Sequence, residues 1–156
     1  MTETLKDAFW ERAAKVRAGM LEARDAPARP MAHHAVRDDN ALWFITAHGT
    51  DIADAAKAGT SASYQIASSD AHIYAAVEGT VTHVPDRMKL EELWSPMAAA
   101  WFDGGKNDPD VCLMRFDPLT AEVWATDGAA KFLYETAKAN LTDDTPDVGD
   151  HGKITF

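Results

Sequence analysis

The chain has 156 residues, a size that fits one domain with a real apolar core. Hydrophobic residues make up 46% and charged residues 26%, which excludes intrinsic disorder. The formal charge of −10 excludes a surface built to neutralise nucleic-acid phosphates or anionic lipid, and the single cysteine, Cys112, excludes an internal disulfide.

No apolar run approaches the roughly 20 residues that a membrane-spanning helix needs. The N-terminal stretch carries Glu3, Lys6, Asp7, Glu11 and Arg12 without an apolar segment, so it reads as having no secretory leader. These features predict a cytoplasmic protein.

The first element is predicted to be a helix. Phe9, Ala13, Val16 and Met20 fall on one face, and Thr4 with Asp7 resembles a capping box. Two strand-like runs follow, Arg29 to Val36 and Ala41 to Thr46, around the turn-forming Asp38-Asp39-Asn40. Ala41 to Ile45 is apolar at every position, as in a strand covered on both faces. Thr50 or Asp51 opens a short helix that Gly59 closes. A second strand pair spans Ser61 to Ser68 and His72 to Val84, and Gly79 inside it signals a bulge or a close backbone approach.

From Asp86 to Trp101 the helical period returns. Leu90, Leu93, Trp94, Met97 and Trp101 form a stripe, so both tryptophans are expected to be buried; Pro96 should split this helix near Ser95. Val111 to Phe116 and Ala121 to Ala125 read as two further strands. Gly128 to Leu141 reads as a last helix. The expected organisation is one domain over residues 1–141 followed by an acidic tail over 142–156. Helices flanking about six hairpin-connected strands predict a mainly β, α+β fold with an antiparallel barrel, since closure removes exposed edges.

Few residues carry recognisable chemistry. His33 and His34 are adjacent and would point to opposite faces of a strand. His48, His72, His83 and His151 lack the spacing of a metal motif, so no metal site is predicted. Cys112 reads as a small buried hydrophobe. Neither a nucleophile elbow nor a glycine-rich phosphate loop is present. Thr46-Ala-His-Gly-Thr50 leads into a helix N-terminus that can hold a phosphate, but the residues themselves favour Thr50 as a simple helix cap, because Asp51 and Asp54 would repel an anion there.

Four segments together resemble a known family. Arg29-Pro-Met31, Leu42-Trp-Phe-Ile-Thr46, Trp101-Phe-Asp-Gly-Gly-Lys-Asn-Asp-Pro109 and Pro118-Leu-Thr-Ala-Glu-Val-Trp124 resemble the pyridoxamine-phosphate-oxidase-like flavoproteins, most closely their general-stress-protein branch. The resemblance runs from about residue 5 to about residue 140. It implies a split β-barrel of FMN-binding type, with flavin mononucleotide (FMN) at a homodimer interface and a flavin-dependent oxidoreductase role. By the same resemblance Arg29 and Met31 edge the isoalloxazine ring, and Thr46 and Thr50 hold the phosphate. Tyr74 supplies a polar flavin contact, and Trp124 reaches the flavin from the partner subunit. Relatives place a basic residue just after the position of Thr50, where this chain has Asp51 and Ile52. Asp51 is thus expected to oppose the phosphate and Ile52 to stand where its basic partner would be, with Lys57 or Lys106 as substitutes. The alternative is a non-enzymatic, stress-linked dimeric barrel that has lost or weakened flavin binding.

Overall fold

A computed structural model describes residues 4–126, 137–138, 141 and 149–156. Helix α1 (Leu5–Ala13) opens with the expected capping box, in which Thr4 and Asp7 bond reciprocally, and it buries Ala8, Phe9, Trp10 and Ala13. It stops sooner than its apolar period suggests. Met20 belongs instead to strand β1 (Ala18–Ala23). Gly19 explains the change, because a Cβ there would lie 2.4 Å from the Gln65 carbonyl oxygen and 2.7 Å from the Tyr64 ring. The glycine that weakens a helix here permits a close strand crossing.

Strand β1 turns through Asp25, at φ 61°, into β2 (Ala26–Ala32). The run from Arg29 to Val36, expected as one strand, is two: residues up to Ala32 pair with β1, and β3 (His34–Val36) pairs with β4 (Ala41–Ala47). Thr50 caps α2 (Asp51–Ala58), which Gly59 ends at φ 68°. Strands β5 (Thr60–Ser68) and β6 (Ile73–His83) form the expected hairpin. The next helical stretch is divided at Trp94 and Ser95 into α3 (Arg87–Leu93) and α4 (Pro96–Ala99), as Pro96 predicts.

Strand β7 (Val111–Thr126) is continuous where two strands were expected. Glu78 pairs with Thr120 and Gly79 with Pro118, so Leu119 is the extra residue of a bulge. The bulge absorbs a proline that cannot donate to a regular ladder. A Cβ on Gly79 would lie 2.2 Å from the Asp117 carbonyl oxygen, so the close approach read from the sequence is present. The helix expected over residues 128–141 falls largely outside the described residues, though 137, 138 and 141 are helical. The acidic tail ends as β8 (Gly149–Thr155), a strand paired to β7.

The sheet runs β2-β1-β5-β6-β7-β4-β3, with β8 attached to β7, giving eight strands among the described residues rather than six. Strands β2 and β3 stand at opposite ends of this path yet are joined by His33 alone. The chain therefore brings the two sheet edges together, and the sheet curls into a split barrel. Phe44, Tyr64 and Phe116 fill the inside; Trp43 and Leu113 face outward beneath Leu90 of α3. Both faces of β4 are covered, as its unbroken apolar run requires.

Candidate functional site

The edges that meet at His33 also shape the main cavity, about 700 Å³ in volume. His33 is buried and fixed at both ring nitrogens: Nε2 lies 2.8 Å from the Ala13 carbonyl oxygen and Nδ1 lies 2.5 Å from Tyr64 Oη. Burial lowers its pKa below the usual 6.5. A neutral ring must donate from Nε2 to Ala13, which leaves Nδ1 an acceptor that competes with the Met31 carbonyl oxygen for the single Tyr64 hydroxyl hydrogen. That hydroxyl also stands 2.9 Å from the Met31 carbonyl oxygen, so α1, β2 and β5 are tied at one point behind the cavity wall.

Arg29 and Met31 come from β2, Thr46 from the end of β4, and Thr50 from the turn that follows; all four line the cavity. The resemblance grouped these four residues, and the fold brings them together. Arg17 and His34 join them, with Met97, Trp101 and Phe102 on the side of α4. Arg17 was missed in the sequence because it stands in a linker with no motif. Its position becomes meaningful only once β1 is recognised. Burial lowers the pKa of His34, so a neutral imidazole is favoured there.

The wall's charge is unlike that of the whole chain. Among the described residues it contains two arginines and no aspartate or glutamate, in a protein with 25 acidic residues. Asp51 and Asp54, expected to oppose an anion, line a different hollow beside Arg24 and Asp25. Ile52 is fully buried in the core, so position 52 is not where a basic partner would stand. Lys57 and Lys106 are absent from the cavity wall, and Lys106 lies 3.8 Å from Glu91. Thr50 uses its hydroxyl as the helix cap, donating to Ala47 at 3.0 Å and accepting from Ala53 at 3.2 Å.

Tyr74 and Trp124 lie elsewhere. They are cross-strand partners on β6 and β7, on the face opposite the inward-pointing Ile73, Ala75 and Val123. His151 of β8 stacks on Trp124 at 4.7 Å between ring centres and 6° between planes. Neither Tyr74 nor Trp124 lines the cavity of its own chain. Trp101, expected inside the helix stripe, is 82% exposed, because the break at Ser95 ends the phase that would have buried it.

The arrangement suits a planar, partly apolar ligand with an anionic end. Residues 4–147 match the family model for pyridoxamine 5'-phosphate oxidase-like proteins. The chain belongs to this family. Within solved structures, the chain is 44% identical to a protein from Jannaschia sp. CCS1 assigned as a general stress protein 26. The match covers 97% of this chain and 98% of that one, with a TM-score of 0.85. A general stress FMN/FAD binding protein from Xanthomonas citri is 28% identical over 82% of this chain and 93% of that one, with a TM-score of 0.72. A heme binding protein from Mycobacterium smegmatis shares the fold at 10% identity and a TM-score of 0.63; the match covers 59% of that chain. None of the curated proteins compared matches this chain. The pyridoxamine 5'-phosphate oxidase-like family thus includes general stress proteins of this split-barrel form, and the expected fold is borne out.

Proposed function

We propose that the chain is an FMN-binding flavoprotein that works as a homodimer in redox chemistry. The observation that carries this reading is the cavity wall, which among the described residues has two guanidinium groups and no carboxylate in an otherwise acidic protein. Arginine pairs with phosphate through a planar fork of donors, which suits the mononucleotide's anionic end. Met31, Ile45 and Phe102 offer apolar surface to a ring system, and the volume lies within the roughly 300–1,000 Å³ of small-molecule sites. The Xanthomonas citri relative, described as FMN/FAD binding, supports the same choice of ligand.

A bound flavin would supply the electron transfer; the protein supplies position and charge. Arg17 and Arg29 anchor the phosphate, a reassignment from the resemblance, which set Arg29 at the ring and gave the phosphate to Thr46 and Thr50; the Thr50 hydroxyl is taken up by its helix cap. His33 and Tyr64 hold the strand that carries Met31. Trp101 and Met97, 82% and 56% exposed, form an apolar rim that a second copy covers. Tyr74 and Trp124 act on the flavin of that second copy.

The test is a titration of FMN and riboflavin, which lacks the phosphate, against the native protein and Arg17→Ala and Arg29→Ala. Native protein is expected to prefer FMN. Each substitution should weaken FMN by about 1.5–3 kcal/mol, roughly ten- to a hundred-fold, and leave riboflavin nearly unchanged. Equal affinity of native protein for both ligands would remove the phosphate assignment. Failure of both to bind would favour the non-enzymatic dimeric barrel.

A further inference from the structure

We propose that His48, His83 and Cys112 form a binding site for a zinc-class divalent metal ion. The three residues are far apart in the sequence, so no spacing motif announces them. The fold brings them to one end of the barrel. His48 follows the last residue of β4, His83 ends β6, and Cys112 is the second residue of β7. Strand β7 lies between β4 and β6 in the sheet. Cys112 pairs with Thr46, two residues before His48, and His83 pairs with Met114, two residues after Cys112. Alternation puts His83 and Cys112 on one face of the β6–β7 pair, and His48, in the turn after β4, meets them there.

The donor atoms are already grouped. One ligand atom from each residue lies within 4.8 Å of the other two. Tetrahedral zinc, with bonds of about 2.0–2.1 Å to nitrogen and about 2.3 Å to sulfur, places its donors about 3.3–3.6 Å apart. Closing the difference takes about 1 Å of side-chain movement. The backbone beneath is held by the β4–β7 and β6–β7 ladders, and the His48 N–H donates to the Asp110 carbonyl at 2.9 Å.

A second observation points to a ligand. His48 Nδ1 is buried and has no hydrogen-bond partner. Edge-to-face packing of the two imidazoles, with centres 5.4 Å apart and planes at 87°, does not satisfy that nitrogen. A buried nitrogen left unpaired is unfavourable, whereas metal coordination or the ring reorientation that accompanies it satisfies the group. Cys112 is fully buried and offers its sulfur away from solvent oxidants. Two imidazoles and a thiolate favour zinc-class ions over magnesium or calcium, which take oxygen ligands. Three protein ligands leave a fourth position for water. None of the three residues lines the cavity assigned to flavin, so the site stands independently of that assignment.

Cobalt(II) is the probe, because its thiolate complexes absorb. The full chain, stripped with chelator and kept anaerobic, is titrated and read as a difference spectrum against the same sample before addition. The expected result is one cobalt per chain, a sulfur-to-cobalt charge-transfer band, visible bands of tetrahedral cobalt, and their loss on adding zinc. Cys112→Ala should abolish the charge-transfer band. His48→Gln and His83→Gln sit at the half-buried rim and avoid the fully buried position; each should weaken cobalt binding by at least about tenfold. Zinc should also raise the melting temperature of native protein and not that of His83→Gln. Absence of the charge-transfer band in native protein, or cobalt affinity unchanged in both histidine variants, would overturn the proposal.

Discussion

His33 shows how one side chain can serve the whole site. Its two ring contacts tie α1, β2 and β5 together, and burial keeps it neutral. In the unfolded chain the same ring takes up a proton near pH 6.5. As pH falls below 6.5 the unfolded state gains a proton that the folded state refuses, so His33 withdraws stability until its own lower pKa is reached. Proton NMR should find the His33 ring titrating below the usual 6.5. Titration of His33 at or above 6.5 would mean that the ring is hydrated. Ile52 makes the opposite point about transferred roles. Family resemblance put position 52 beside the phosphate, but its side chain is fully buried in the core. Ile52→Lys should therefore destabilise the protein by about 3 kcal/mol or more, since it buries an unpaired ammonium, and should not tighten FMN. Denaturant melts and an FMN titration check both halves of that expectation.

Among the elements, legibility followed local chemistry. The capping box of α1, the Thr50 and Gly59 ends of α2 and the break at Pro96 were all readable, because each depends on residues within a few positions. Strand β1 was not readable, since Gly19 is explained only by Tyr64 and Gln65 crossing above it. The continuity of β7 was hidden for a related reason: its proline is accommodated by a bulge set against Gly79 on another strand. Strand β8 was hidden by composition, as seven residues with two glycines and one apolar side chain give little sign of pairing. It matters nonetheless. Phe156, just beyond it, packs edge-to-face on Phe9 and Trp10 at 5.1 and 5.7 Å. Phe156→Ala should cost about 1–2 kcal/mol in urea melts, less than a fully buried phenylalanine because this ring is half-buried. No change in the midpoint would show that β8 adds nothing to the stability of α1.

The whole molecule concentrates its unusual features where its sheet edges meet. Arg29, Met31, Thr46 and Thr50 were grouped through family resemblance, yet nothing in their spacing showed that they share a cavity without acidic residues among those described. That follows from His33 joining opposite ends of the sheet. The same closure leaves Trp101 at the cavity mouth, 82% exposed next to Met97 at 56%. An indole so exposed contributes little to the stability of a single chain, so Trp101→Ala should shift the unfolding free energy by less than about 1 kcal/mol. In the proposed homodimer that indole is covered by a second copy, and there a charge becomes costly. Native protein should sediment at twice 17.0 kDa at micromolar concentration. Trp101→Glu should move the population toward 17.0 kDa while keeping the native circular dichroism spectrum, and should weaken FMN in parallel. The chain already carries a charge of −10, so two added carboxylates facing each other across the interface would repel as well as desolvate. A native protein that sediments only as a monomer would leave Trp124 and Tyr74 with no flavin within reach. A Trp101→Glu dimer as tight as the native one would place the interface on another face of the barrel.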